Sequence, residues 1–133
     1  VGRRLILDTN VLISYERGTI DRSMFHEDEL SIAALTVAEF RVGIEVAGTA
    51  ARAAERSRAL AAILDNVEVL EYTEATAAHH AALIAYTGRS GTPRGKHDLM
   101  IAAHAAQTGR TIVSRDAKAR FGDLPGVLAV GLE

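Results

Sequence analysis

The sequence predicts an α/β fold: a three-layer α/β/α sandwich on a mostly parallel central sheet. Three observations predict it. Short aliphatic runs recur along the chain, each bounded by polar or turn-forming residues, as strands are. Between most of them lie amphipathic stretches of about ten residues or more, the length that a parallel crossover needs and a hairpin does not. The chain has 133 residues, 48% of them apolar and 24% charged, enough for one foldable core. Residues 1–133 are therefore read as a single domain.

Arg4-Leu5-Ile6-Leu7 reads as the first strand, and residues 8–15, carrying Val11, Leu12 and Tyr15, as a helix that stops near Gly18. Leu30-Ser31-Ile32-Ala33 is the second strand. Residues 36–46 follow as a helix with Val37, Phe40 and Ile44 on one face and Gly48 as its stop. Residues 51–64, rich in Ala, Arg and Glu with Leu60, Ile63 and Leu64 apolar, form an amphipathic helix. Val67-Glu68-Val69-Leu70 is the third strand, and residues 74–87 are an Ala-rich helix. Residues 88–95, with Gly91 and Thr92-Pro93, read as a loop. A helix opens at His97 or Asp98 and runs to Gly109; Thr111-Ile112-Val113 is the fourth strand, residues 117–121 a short helix and residues 127–130 the fifth strand.

Composition narrows the chemistry. Cysteine is absent, which excludes disulfides, thiolate metal sites and cysteine nucleophiles, so any metal must take oxygen or imidazole ligands. The longest stretch without formal charge, residues 75–88, has 14 residues and two histidines, short of the roughly 20 apolar residues of a membrane span. The apolar run after Arg3 and Arg4 meets Asp8 too soon for a signal-peptide core, so a cytoplasmic location is expected. A net charge of −2 carries no nucleic-acid signature by itself.

Certain carboxylates sit where a core should be. Asp8 directly follows the first strand, Asp116 follows the fourth by one residue more, and ligands of open parallel sheets gather at such carboxyl ends. Glu39 lies one turn inside an apolar helix, and Asp98 opens the helix Leu99-Met100-Ile101-Ala102-Ala103. Taken singly, Asp8 and Asp98 read equally as N-caps and Asp116 as an Asx-turn, while Thr36-Val37-Ala38-Glu39 fits a capping box. Taken together, they share one sheet edge. Carboxylates gathered in a partly dry cleft need a cation, and magnesium or manganese is the usual one. Thr9, Asn10 and Ser114 are placed to orient such ligands, or to cap locally.

These residues resemble the ordered signatures of the PIN-domain ribonucleases: Leu7-Asp8-Thr9-Asn10-Val11-Leu12-Ile13, Thr36-Val37-Ala38-Glu39-Phe40 with Gly43, the run from His97-Asp98 through Ala105 to Gly109, and Ser114-Arg115-Asp116 with Phe121. More narrowly, the chain is similar to the VapC toxins of bacterial toxin–antitoxin pairs, over essentially its whole length. The resemblance implies a PIN-like fold and a Mg2+- or Mn2+-dependent endoribonuclease with Asp8, Glu39, Asp98 and Asp116 as metal ligands. It also implies a VapB-type antitoxin partner and homodimerisation. The last motif departs from many family members, which carry asparagine or a more distal acid, so Asp123 rivals Asp116.

Setting the four proposed ligands aside leaves 13 acidic against 15 basic residues, a balance that accepts an RNA backbone. Arg89, Arg94, Lys96 and His97 crowd the loop before Asp98, while Arg115, Lys118 and Arg120 surround Asp116; phosphate contact is expected from Arg89, Arg94, Lys96 and Arg115. Leu12, Tyr15, Phe40 and Ile44 offer apolar surface to an antitoxin tail, or belong to the core. The glycines around Lys96 fail the P-loop spacing, and Asn10 breaks an Asp-x-Asp phosphatase pattern. His79 and His80, adjacent on a helix, read as half-buried packing residues. The alternatives are a catalytically inactive PIN-like domain that binds protein or RNA, and an HD-type phosphohydrolase built on His97-Asp98, which the strands oppose.

Overall fold

The computed structural model describes residues 2–18 and 21–132. Its elements are β1 (Arg4–Leu7), α1 (Thr9–Arg17), β2 (Glu29–Ala33), α2 (Ala34–Glu45), α3 (Ala50–Leu64), β3 (Glu68–Leu70), α4 (Glu74–Ser90), α5 (Lys96–Thr108), β4 (Thr111–Ser114) and β5 (Leu128–Gly131). Short 3-10 turns occupy Arg22–Phe25, Ala117–Ala119 and Phe121–Asp123. The strands form one five-stranded sheet of order β3-β2-β1-β4-β5. Every pairing in it is parallel, so the sheet is wholly rather than mostly parallel. An HD-type helical fold is thereby excluded. No helix among the described residues is long and apolar enough to cross a membrane.

Alternation along the strands sorts the core into two layers. Leu5 and Leu7 of β1 and Val113 of β4 pack with Val11, Leu12, Ile32 and Ile63 beneath α1, α2 and α3. Ile6 and Ile112 face the other way, against Leu83 of α4 and Leu99, Ile101 and Ala102 of α5. Central β1 is covered on both sides, with Leu5, Ile6 and Leu7 each 0% exposed, as an aliphatic strand in a parallel sheet should be. Leu12 belongs to this core; Tyr15 and Phe40 are partly buried against it.

The observed order reverses direction between β1 and β4: β1 leads outward to β2 and β3, whereas β4 lies on its other side. Ligand crevices form at such switch points, outside the carboxyl ends of the strands. Asp8 and Ser114 close these two strands, and the Asp8 amide donates to the Val113 carbonyl at 3.0 Å.

Three sequence expectations are corrected. α2 begins at Ala34, with Ala33 as an N-cap that makes no side-chain bond. Thr36 is fully buried inside the helix, so the capping box with Glu39 does not exist. α4 does not end at Thr87 but continues through Gly88 to Ser90, with Gly91 at φ 67° as its left-handed stop. One glycine costs a helix about 1 kcal/mol, which packing offsets here: Thr87 is buried and its hydroxyl bonds back to the Leu83 and Ile84 carbonyls. The short helix at 117–121 is two 3-10 turns, broken where Arg120 takes φ 46°. The turn at Arg22–Phe25 was not anticipated.

Candidate active site

Each candidate carboxylate is delivered by a different element. Asp8 ends β1 and caps α1: one carboxylate oxygen accepts from the Thr9 amide at 2.8 Å, and the other from the Ser114 hydroxyl at 2.8 Å. The residue is 6% exposed, so capping and site roles coexist in it. Glu39 projects from α2 toward α1 and α5. Its Oε1 accepts from the Thr9 hydroxyl at 3.2 Å, and its Oε2 lies 2.9 Å from His97 Nδ1. Asp98 sits in the first turn of α5, whose N-cap is Gly95, so it is not the cap. Asp116 does form the local turn considered from sequence, its Oδ1 accepting from the Lys118 amide at 2.9 Å.

Electrostatics tie the carboxylates together. Burial, the largest influence, pushes the Asp8 carboxyl above the ordinary range; bonds from Ser114 and Thr9 oppose it, while the charges of Asp116 and Glu39 add to the rise. Asp98 is also raised, by burial first and then by the charges of Asp8 and Asp116, against smaller opposing effects of His97 and Arg94. Asp123, the rival to Asp116, instead lies 4.0 Å from Arg120. Among the described residues no three His, Asp or Glu side chains converge into a ready-made cation cage. The fold thus supplies a shared negative field rather than a closed shell. Its oxygen donors and elevated carboxyls are what a hard divalent cation would satisfy.

The supporting residues form one network. Ser114 Oγ donates to Asp8 and accepts from the Asp116 amide at 3.0 Å, which locks the end of β4 to the end of β1. Asn10 Oδ1 accepts from the Arg115 amide at 3.1 Å, and Arg115 Nη1 reaches Ser14 Oγ at 3.0 Å, so α1 holds the loop after β4. Thr9 holds Glu39. No local pattern pairs His97 with Glu39; it sits beside Asp98, but its partner is 58 residues away.

The basic residues separate on inspection. Arg94 acts as a clamp: its guanidinium donates to the carbonyls of Ala119 at 3.0 Å, Thr92 at 3.2 Å and Arg120 at 3.4 Å. Arg89 lies in the last turn of α4 rather than in a loop, and Lys96 is the exposed first residue of α5. His79 is exposed, whereas His80 is half-buried with Nδ1 2.8 Å from the Tyr72 hydroxyl. A groove of about 650 Å3 between α1, α2 and α3 opens on Thr9 and Glu39; Ile13, Phe40, Arg17 and Arg52 line it further along. The arginines of this groove escaped the sequence reading. Their signal was helical spacing, which puts Thr9, Ile13 and Arg17 on one face of α1.

Comparison with known proteins agrees with this architecture. The chain is 30% identical to the tRNA(fMet)-specific endonuclease VapC of Salmonella typhimurium, over 93% of this chain and 94% of that protein. It is 32% identical to ribonuclease VapC5 of Mycobacterium tuberculosis, over 94% and 90% respectively. The crystal structure of DNA-bound VapBC from Salmonella typhimurium matches at a TM-score of 0.84 and 26% identity, covering 97% of this chain and 98% of that one. Residues 5–125 match the PIN domain model, and the chain therefore belongs to the PIN domain family.

Proposed function

We propose that this chain is a Mg2+- or Mn2+-dependent endoribonuclease, acting as the toxin of a VapBC-type pair. One observation carries the reading: at the switch point between β1 and β4, Asp8 and Asp98 are both held above the ordinary carboxylate range by burial and by neighbouring acids. Such strain suits a site completed by a cation, and acids with perturbed ionisation in a cleft mark functional sites. Relatives named as endonuclease and ribonuclease support the same conclusion.

In this reading Asp8, Glu39, Asp98 and Asp116 hold the metal, and Thr9, Asn10 and Ser114 orient them. The bound ion would supply water of lowered pKa and charge neutralisation at the phosphorus. The chain itself does the rest. Ser114 fixes the Asp8 carboxylate, while Thr9 and His97 fix that of Glu39, so the oxygens stand in place before substrate arrives. Hydrolysis forms one P–O bond from water, breaks one on the far side and leaves the proton on the departing sugar oxygen.

The proposal extends to RNA contacts from Arg89, Lys96 and Arg115, with Arg94 shaping the loop beside them. It also takes in a VapB-type antitoxin, a homodimer, action in the cytoplasm and a single PIN domain over residues 1–133. Solved relatives that are VapBC assemblies support the antitoxin. The test is a map of RNA 5′ ends after brief induction of wild type and of Asp98→Asn in cells. New ends at recurrent sites in the wild type alone support the proposal; identical maps overturn it.

A further inference from the structure

We infer that Arg94 is a positioning residue of the cation site: its guanidinium straps the loop before Asp98 to the turn after Asp116 and so sets the separation of these two carboxylates. This rests on the metal-dependent ribonuclease reading and names a residue that holds that site ready. Asp98 stands in the first turn of α5 and Asp116 at the turn beyond β4, and Arg94 spans the gap between the two segments. On its own side Nη1 donates to the Thr92 carbonyl at 3.2 Å; across the gap Nε donates to the Ala119 carbonyl at 3.0 Å and Nη2 to that of Arg120 at 3.4 Å.

Each end of the strap leads directly to an acid. Gly95 follows Arg94, and the Asp98 carboxylate folds back over it so closely that a Cβ there would meet Oδ2 at 3.4 Å. At the far end the Ala119 amide donates to the Asp116 carbonyl at 3.2 Å, and the Lys118 amide to the Asp116 carboxylate at 2.9 Å. Arg120 takes φ 46°, a conformation unfavourable for a residue with a side chain, and Arg94 holds its carbonyl. The other neighbouring acids are already joined in pairs. Ser114 links Asp8 to the Asp116 amide, Thr9 bonds both Asp8 and Glu39, and His97, next to Asp98, meets Glu39 at 2.9 Å. Asp98 and Asp116 are the pair left, and Arg94 closes the ring between them. A guanidinium suits this place because its rigid fork directs donors to several carbonyls at once, whereas an ammonium directs its donors from one point. By charge alone, a cation so near would oppose a bound metal ion, so charge and strapping act on metal affinity with opposite signs.

The probe is manganese alone, titrated by calorimetry into the RNA-free wild type, Arg94→Gln, Arg94→Lys and Thr76→Val. Thr76, buried and bonded to Gln107 of α5 at 2.6 Å, controls for stability lost away from the acids, and circular dichroism checks that each protein is folded. Loss of a group that orients metal ligands weakens binding about 10–100-fold, so Arg94→Gln and Arg94→Lys should each raise the Kd about tenfold or more. Thr76→Val should leave it unchanged. Should Arg94→Gln fail to fold, Arg94→Lys, which keeps the charge and loses the fork, carries the test. Wild-type affinity in the Arg94 variants overturns the strap and leaves the ribonuclease reading standing. Tighter binding by Arg94→Gln with Arg94→Lys unchanged makes Arg94 a charge acting through space, and an equal rise in Thr76→Val assigns the loss to stability; either overturns the strap. A wild type that binds no manganese overturns both the strap and the metal-dependent reading.

Discussion

Neutralising Asp98 separates a cation site from a set of unrelated caps and turns, because the two effects it produces have opposite signs. In the metal-free protein, burial and the charges of Asp8 and Asp116 raise the Asp98 carboxyl. The folded chain then holds a proton at pH values where the unfolded chain has released it. Stability from this group is greatest below the unfolded value, falls as pH rises through the folded one, and the full penalty stands at neutral pH. Asp98→Asn removes the penalty, so in chelator at pH 7 the variant should melt above the wild type. With cation the order of benefit reverses. A ligand that binds only the folded state adds about 2.7 kcal/mol at a hundredfold excess over Kd. For 133 residues the entropy of unfolding is about 0.28 kcal/mol/K, so the wild type should gain about 10 °C. If loss of one ligand weakens binding a hundredfold, the same magnesium concentration gives the variant about 0.4 kcal/mol, roughly 1.5 °C. Differential scanning calorimetry of both proteins, in EDTA and in magnesium at a hundred times the wild-type Kd, reads all four numbers. An equal magnesium response in the two would refute Asp98 as a ligand. No response in either would leave Asp8 as a cap and Asp116 as a turn with no cation between the acids, and a variant melting below wild type in EDTA would refute the repulsion.

Other perturbations follow from the same contacts. Ser114→Ala deprives buried Asp8 of one of its two donors and frees the Asp116 amide, and should cost about 1–3 kcal/mol in urea unfolding; a change under about 0.5 kcal/mol would show that the Thr9 amide alone satisfies Asp8. Arg94→Ala should also destabilise by about 1–3 kcal/mol while leaving the salt dependence of RNA binding intact, since its guanidinium staples three carbonyls; a changed salt slope with unchanged stability would reverse that assignment. His104 is buried with Nδ1 unpartnered, and burial, followed by His80, holds its pKa below the ordinary value. Its depressed value means the unfolded chain protonates first, so this contribution is present above about pH 6.5 and is lost as pH falls. His104→Leu should flatten the acid loss of stability by up to about 1.4 kcal/mol per pH unit relative to wild type, and equal slopes in the two would remove His104 from the account.

Much of this molecule can be read from its sequence because local and global signals coincide. Leu5-Ile6-Leu7 is unbroken aliphatic because β1 is central and covered on both faces, and the turn to Asp8 follows directly. The end of α4 was less accessible: Gly88 looks like a stop, yet the bonding of Thr87 and the cover from α5 carry the helix past it, and neither is a local property. The α2 start differs from its local signal for a related reason. Thr36 is a good capping residue by type, but continuity from β2 into Ala34 buries it instead. Near the candidate site, the positions of Asp8 and Asp116 after strands and of Glu39 and Asp98 in apolar helices are visible in the sequence, as are their neighbours Ser114 and Thr9. His97 with Glu39, and the groove arginines, depend on how α1, α2, α3 and α5 approach one another, which no single segment encodes.

Cleavage of RNA by this chain is proposed to depend on a cation held by Asp8, Glu39, Asp98 and Asp116. The most direct measurement is cleavage of a labelled single-stranded oligoribonucleotide by the purified protein, in EDTA, after magnesium is restored, and with Asp8→Asn. Asp8→Asn keeps the capping of α1, since Asn caps as well as Asp, and removes only the charge. The expected result is no cleavage in EDTA, recovery with magnesium or manganese, and at least a hundredfold loss in a folded Asp8→Asn. Cleavage that persists in excess EDTA, or that survives Asp8→Asn undiminished, would contradict it, and a folded wild type inert in either metal would make the domain a binding module.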